Sequence, residues 1–383
     1  MIFTNGRVVT PDGICDDVDV VIQAGKIADL TPRSARAEAI DLRGNYLAPG
    51  FVDLHVHGAL GQDTMEASVD AFRAICAYHA SGGTTSMLLT TATAPIKTIS
   101  AVLQAVRACQ GQIPQLRGVH VEGPFISPER RGAQRQEFIR NPERALVDRL
   151  LEFSDVIRRV TLAPELPGAV EAIRMLVDRG IAVSGGHSDA WEEEARAGFE
   201  AGMRHVTHTF NCMSSARRRE GQRVAGLLEF ALSEPDIRCE LIADGYHVSA
   251  TLMKMLYRAK RADGICLVTD ATAGAGLRNG EAFDLAGVPC VVRDGACFLA
   301  DGSALAGSSA RMIDLVRTMV CDVRVPLHEA IAMASTNPAR AAAPSGKSSI
   351  ETGADADLVV LSPQLDVLAT YVAGEQIYAS DRE

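Results

Sequence analysis

From Leu47 onward, short apolar runs alternate with amphipathic stretches, and this alternation constrains the fold more than any other feature of the chain. A strand followed by a crossover helix, repeated, builds a parallel sheet. The strand-like runs fall at 51–56, 85–89, 116–121, 156–162, 181–184, 205–209, 239–242 and 265–269. Helical patterns fit between them at 68–79, 95–109, 142–153, 168–178, 191–201, 224–232 and 249–261. Eight such units within about 250 residues predict an α/β protein whose sheet closes into a (β/α)8 TIM barrel rather than staying open.

The two ends read differently. Residues 18–22, the turn Ala24-Gly25-Lys26 and residues 27–30 have the pattern of a hairpin, and so do 356–361 followed by 371–375. These predict one small β-sandwich domain formed from both termini, residues 1–46 with 346–383, beside a barrel of residues 47–345. A further antiparallel insertion is expected at 285–299, helices resume near Arg311, and the Ala-rich stretch 339–343 reads as a helix end before Pro344.

Size and composition remove several functions. A chain of 383 residues with 47% apolar side chains buries a core without help from disulfides or metal, so a metal here would serve chemistry. With 38 basic against 48 acidic side chains and no cluster of Lys and Arg long enough to track a phosphate backbone, nucleic acid is not an expected partner. No run approaches the roughly 18 apolar residues of a membrane span, and Met1–Arg7 lacks the pattern of a signal peptide. A cytoplasmic protein with no membrane partner is the expectation. The 9 cysteines are scattered and contain no C-x-x-C pair, as suits reduced, mostly buried thiols.

Strand after strand ends in His, Glu or Asp, on the face where barrel active sites form. The first ends Asp53-Leu54-His55-Val56-His57, where alternation sends His55 and His57 to one side. The third ends in Glu122, the fifth runs into His187, the sixth holds His208, the seventh leads to Asp244 and His247, and the eighth ends in Asp270. Four imidazoles and two carboxylates on five of these edges form a nitrogen/oxygen donor set. It suits zinc or another borderline divalent ion, and such an ion activates water for hydrolysis.

Plainer readings apply to neighbouring residues. His79, His120, His205 and His328 are read as structural or supporting; Asp53 and Asp63 are read equally as caps or as supporting groups behind the site and are left out of it; for Asp270 the plain reading is a cap for the following segment, but its place at the mouth of the last strand favours catalysis. The glycine-rich turns match no phosphate-binding fingerprint, so no nucleotide is assigned. The basic run Arg217-Arg218-Arg219 is either solvated surface or a grip for an anionic substrate group.

Several motifs together are familiar: Glu122-Gly123-Pro124-Phe125, Gly186-His187-Ser188, His208-Thr209-Phe210-Asn211-Cys212-Met213, Ala243-Asp244-Gly245-Tyr246-His247-Val248 and Val268-Thr269-Asp270-Ala271. In this order, with Pro49–Asp53 before them and Asn337-Pro338-Ala339 after, the chain resembles the N-acetylglucosamine-6-phosphate deacetylase family of the amidohydrolase superfamily over nearly its whole length. The resemblance implies a cytoplasmic homodimer that removes acetate from an N-acetylated amino-sugar phosphate. It also implies one or two divalent ions, Zn2+ or else Fe2+, Mn2+ or Co2+. By the same resemblance, Glu122, His187 and His208 hold the main metal, and His55 and His57 stand where some members keep a second. Asp270 is the implied acid/base; His247, Asn211 and the Cys212 backbone are implied substrate contacts; Arg219 is the implied phosphate grip across the dimer interface.

Two positions depart from the family pattern. Gln134 stands where members usually have the histidine that helps polarise the acetyl carbonyl, and Gly221-Gln222 follow Arg219-Glu220 where a proline is usual. Both lie on the substrate side. Rival expectations are a deacetylase of N-acetylgalactosamine-6-phosphate or another N-acyl amino sugar, a cyclic-amide hydrolase, and a scaffold without chemistry. The cyclic-amide hydrolases bridge two metals with a carboxylated lysine, and no lysine here ends a barrel strand. A scaffold would be expected to have lost ligands.

Overall fold

The computed structural model describes residues 1–33, 38–342 and 348–381. At its centre eight strands stand side by side in chain order: Phe51–Val56, Thr84–Thr91, Leu116–Glu122, Ile157–Leu162, Ala182–Gly185, His205–Val206, Arg238–Leu241 and Ile265–Leu267. Every neighbouring pair is parallel. The first and last strands close the ring through a Val56–Ala271 bridge. There Asp270 N–H donates to the His55 carbonyl at 2.9 Å and His57 N–H to the Ala271 carbonyl at 2.8 Å. Closure therefore occurs at the level where the polar strand ends collect.

Local sequence explains the elements. All of Thr84–Thr91 is buried, because a strand walled by helices outside and barrel filling inside has no solvent face. Ser68 caps the helix Val69–Ala80 by accepting the Ala71 N–H. In Ile96–Ala108 the buried residues Ile99, Val102, Leu103 and Val106 recur at helical spacing and face the sheet.

Three expectations shift. The sixth strand, expected over 205–209, keeps only His205–Val206, because His208 turns to a φ of 31° and leaves the ladder. The expected helix 224–232 starts at Leu227 instead, since Gln222–Val224 pairs with Arg217–Arg219 as an antiparallel hairpin. The insertion forms as expected but gains a strand, running Ala282–Leu285, Val288–Arg293 and Ala296–Leu299. Two positions in the sequence reading, the domain boundary at 345/346 and the helix end at Ala343-Pro344, lie outside the described residues.

Both termini build the small β-domain. One sheet is wholly N-terminal, with Lys26–Pro32, Val18–Gln23, Ile2–Thr4 and Ile40–Asp41 in that order. The other interleaves the ends, placing Leu358–Leu361 between Val367–Val372 and Tyr46–Pro49. Alternation along Leu358–Leu361 packs Leu358 and Val360 against Phe3, Val20 and Ile27 of the facing sheet, while Val359 and Leu361 join the barrel core. Tyr46–Pro49 thus spans the 46/47 boundary read from sequence, as its run passes through Gly50 straight into the first barrel strand. Among the described residues no helix is long and apolar enough to cross a membrane. All cysteines are unpaired, and six of them are buried.

His79 lies wholly buried, with Nε2 3.4 Å from the Gly58 carbonyl, and burial pushes its imidazole down to about 4. As pH falls below its ordinary value of 6.5, the unfolded chain takes up this proton before the folded one does. The stability that depends on neutral His79 is complete above about pH 6.5 and is lost as pH falls towards 4. Between pH 7 and 4.5 the parent is expected to lose roughly 2–3 kcal/mol more than His79→Gln. Urea unfolding of both proteins at the two pH values checks this; equal losses would contradict it.

Candidate metal centre

The polar side chains reach the barrel mouth from five strand ends. His55 lies in the first strand and His57 just past it; Glu122 is the last residue of the third. His187, His208 and Asp270 lie two or three residues beyond the fifth, sixth and eighth strands, with φ of 47°, 31° and 49°. Left-handed backbone at a non-glycine residue costs about 1–3 kcal/mol and persists where the surroundings impose it, commonly at functional sites. Here it turns the side chains from the ladder towards the axis.

The groups converge. His187 Nε2 and His208 Nε2 lie 3.2 and 3.3 Å from Glu122 Oε1 and 3.1 Å from each other. His55 Nε2 and His57 Nε2 are 3.2 Å apart, the first 3.4 Å from Glu122 Oε1 and the second 3.3 Å from Oε2. Asp270 Oδ1 stands 3.4 Å from both of these imidazoles. All six residues are buried. Glu122 thus belongs to two three-residue groups, each compact enough to hold an ion.

Hydrogen bonds test whether a cation suits this arrangement. Nδ1 of His187 faces the Arg130 carbonyl at 2.8 Å, and Nδ1 of His208 faces the Asn211 carbonyl at 3.2 Å. A carbonyl only accepts, so each Nδ1 carries the hydrogen and each Nε2 presents a bare lone pair. Two such lone pairs and a carboxylate oxygen, packed at 3.1–3.3 Å, repel one another unless positive charge lies between them. Donors about 2.0–2.1 Å from a tetrahedral zinc ion are themselves roughly 3.3 Å apart, which matches. The residues therefore fit a divalent ion.

Electrostatics agree. Burial raises the pKa of Glu122, but positive charge on the neighbouring His55 and His187 rings overrides it and holds the carboxyl well below its usual range, and a cation held by their lone pairs supplies the same charge when the rings are neutral. Burial likewise opposes ionisation of Asp270, and His55 with His57 pulls that group down to about 2. Desolvation lowers His57, yet hydrogen bonds to Asp270 and Glu122 raise it to about 9. Two buried carboxylates thus demand positive charge in their midst.

These residues floor a cavity of about 270 Å³ that His247, Asn211, Cys212 and Gln134 also line. His247 Nδ1 donates to Asp244 Oδ2 at 2.8 Å, which orients the ring. Gln134 is fixed from both sides: its Oε1 accepts the Thr93 N–H at 2.7 Å, so the amide nitrogen is the group 2.8 Å from Glu122 Oε2. Arg219 is not brought to this cavity. It sits exposed on the Arg217–Arg219 hairpin, stacked 4.7 Å over Trp191 and paired with Glu193. No Lys or Arg is among the residues that line the cavity.

Sequence reasoning passed over a buried ion pair beneath the site, Arg159 with Glu240. The signal was present, since Glu240 interrupts the otherwise apolar run Cys239-Glu240-Leu241-Ile242. Asp53, read from sequence as either a cap or a supporting group, accepts the Thr269 hydroxyl at 2.6 Å and ties the first strand to the eighth. His120 supports from below, with Nε2 2.7 Å from Thr161 Oγ1 and its ring edge-on to His55.

Known proteins place this architecture. A curated N-acetylglucosamine-6-phosphate deacetylase from Lysinibacillus sphaericus is 34% identical over 384 residues, covering 98% of this chain and 97% of its own. An N-acetylgalactosamine-6-phosphate deacetylase from Escherichia coli O157:H7 is 35% identical over 374 residues, covering 96% and 97%. A mutant N-acetyl-D-glucosamine-6-phosphate deacetylase from Mycobacterium smegmatis, solved with N-acetyl-D-glucosamine-6-phosphate, superimposes with a TM-score of 0.91 at 30% identity over 99% of both chains. The Amidohydrolase family profile matches residues 46–377, and with that match, the closed barrel and the convergent donor set, the chain belongs to the amidohydrolase family.

Proposed function

We propose that this chain is a metal-dependent deacetylase that hydrolyses the acetamide of N-acetylglucosamine-6-phosphate to glucosamine-6-phosphate and acetate. The observation that carries the mechanism is the meeting of Glu122, His187 and His208 lone pairs at the floor of the cavity, with ionised Asp270 beside them. Glu122, His187 and His208 would hold the ion, and His55 and His57 with Glu122 offer a second position. The ion, zinc by the nitrogen/oxygen donors, supplies Lewis acidity that lowers the pKa of water towards about 7 and polarises the acetamide carbonyl.

The chain's own groups do the rest. Asp270 accepts a proton from the attacking water as the C–O bond forms, then returns it to the nitrogen as the C–N bond breaks. Protonation matters because an amide anion leaves poorly. The Gln134 amide nitrogen, held against Glu122, and His247, oriented by Asp244, face the substrate, as do Asn211 and Cys212. A phosphate needs a cation that this cavity's own lining does not include. A homodimer answers that need if the exposed Arg219 hairpin reaches the neighbouring subunit's cavity. The unpaired thiols suit the cytoplasm. The division into residues 1–46 with 346–383 and residues 47–345 remains the proposed domain plan.

N-acetylgalactosamine-6-phosphate is the second reading, favoured by equal likeness to a relative named for it. Free-amine release from a panel of N-acylated sugars, with and without phosphate, separates the readings. N-acetylglucosamine-6-phosphate is expected to react fastest. Arg219→Ala is expected to lower kcat/KM about 10- to 100-fold for phosphorylated sugars and leave unphosphorylated ones unchanged. Indifference of the parent to phosphate would remove Arg219 from the site.

A further inference from the structure

Below the donor set, inside the barrel, lies an ion pair with no part in the steps above. Glu240, in the strand Arg238–Leu241, and Arg159, in Ile157–Leu162, are each 1% exposed. Arg159 Nη1 donates to Glu240 Oε1. The other carboxylate oxygen, Oε2, faces the site, 3.3 Å from the backbone nitrogen of His208 and 3.4 Å from His55 Nδ1. One contact bears on a residue of each three-residue group.

Both contacts act on direction. The sixth strand ends at Val206, and at His208 the backbone turns left-handed, so the sheet ladder no longer takes this N–H. A buried N–H without an acceptor is costly, and Glu240 Oε2 supplies one at the turn that aims His208 Nε2 towards Glu122. At His55 the carboxylate can only accept, so Nδ1 carries the hydrogen and Nε2 is left as a lone pair facing Glu122 Oε1 at 3.4 Å. The Arg130 and Asn211 carbonyls do the same for His187 and His208. A buried ion pair is seldom worth more to stability than apolar residues of equal volume. Stability alone therefore gives little reason for a charge at this place.

We propose that Glu240 is a positioning residue that sets the ring of His55 and the backbone of His208 for the cation, with Arg159 as its counter-charge. This rests on the reading that a cation sits among these groups. Imidazole ligands whose second nitrogen is held by a carboxylate typically lose about 10- to 100-fold in metal affinity when that partner is removed.

The test is a Co2+ titration of metal-stripped protein, read by bound stoichiometry and by the visible absorption bands that report ligand geometry. Two variants are compared with the parent. E240L/R159M removes the acceptor and its counter-charge together, and E240D keeps the charge but withdraws the oxygen from His55 and His208. The double variant is expected to bind Co2+ about 10- to 100-fold more weakly, with altered bands. If the double variant does not fold, E240D decides on the same two readouts. Parent-like affinity and bands in the deciding variant would overturn the proposal and leave the metal reading standing. Failure of the parent itself to take up Co2+ would overturn both.

Discussion

Asp270→Asn is expected to lower kcat about 10²- to 10⁴-fold while leaving the metal content of the protein unchanged. Asparagine keeps the size and shape of the side chain but cannot accept a proton from water or pass one to the amine. The nearby imidazoles hold Asp270 at about 2, so in the parent no proton has to leave it before turnover at neutral pH. Glu122, His187 and His208 are untouched by the substitution, which is why elemental analysis should find the same ion content in both proteins. Amine release by the variant at the parent's rate would remove Asp270 from the chemistry. Loss of metal together with activity would make it a ligand instead of a proton carrier.

Stripping the ion with a chelator is expected to abolish turnover, and adding Zn2+ is expected to restore it. The same treatment should lower stability, because an ion that binds only the folded chain adds about 4 kcal/mol when its free concentration is a thousandfold above Kd. Thermal unfolding with and without added ion measures the second effect, and amine release measures the first. The two are expected to move together in His208→Ala, which removes one of the two imidazole lone pairs from the Glu122–His187–His208 group. A stripped protein with full activity would exclude the metal reading. An unchanged melting curve on removal of the ion would show that it does not bind the folded chain in preference to the unfolded one.

Much of the barrel is legible because its signals are local. A helix such as Val69–Ala80 announces its start by Ser68 and its inner face by spacing, and a walled strand such as Thr84–Thr91 carries no charged residue. The misread segments are those where a partner distant in sequence decides. Residues 207–209 carry the pattern of a strand, yet Glu240 accepts the His208 N–H and ends it. Val224 looks like a helix start until Arg217 pairs with it. The candidate site divides in the same way. His55, His57, Glu122, His187, His208 and Asp270 stand out as polar residues at strand ends, but Glu240 and Arg159 lie within strands, where only the break that Glu240 makes in an apolar run marks them and nothing local says that they pair.

Sequence alone determined that strands and helices alternate and that six side chains able to take a metal or a proton lie at strand ends, since side-chain alternation and helix spacing are properties of neighbouring residues. Only the tertiary structure decided which of those side chains meet, which imidazole nitrogen carries a hydrogen, that Gln134 leans on Glu122, and that Arg219 stays outside its own chain's cavity. Those outcomes depend on closing the ring between the first and eighth strands, which brings groups more than two hundred residues apart within 3.4 Å.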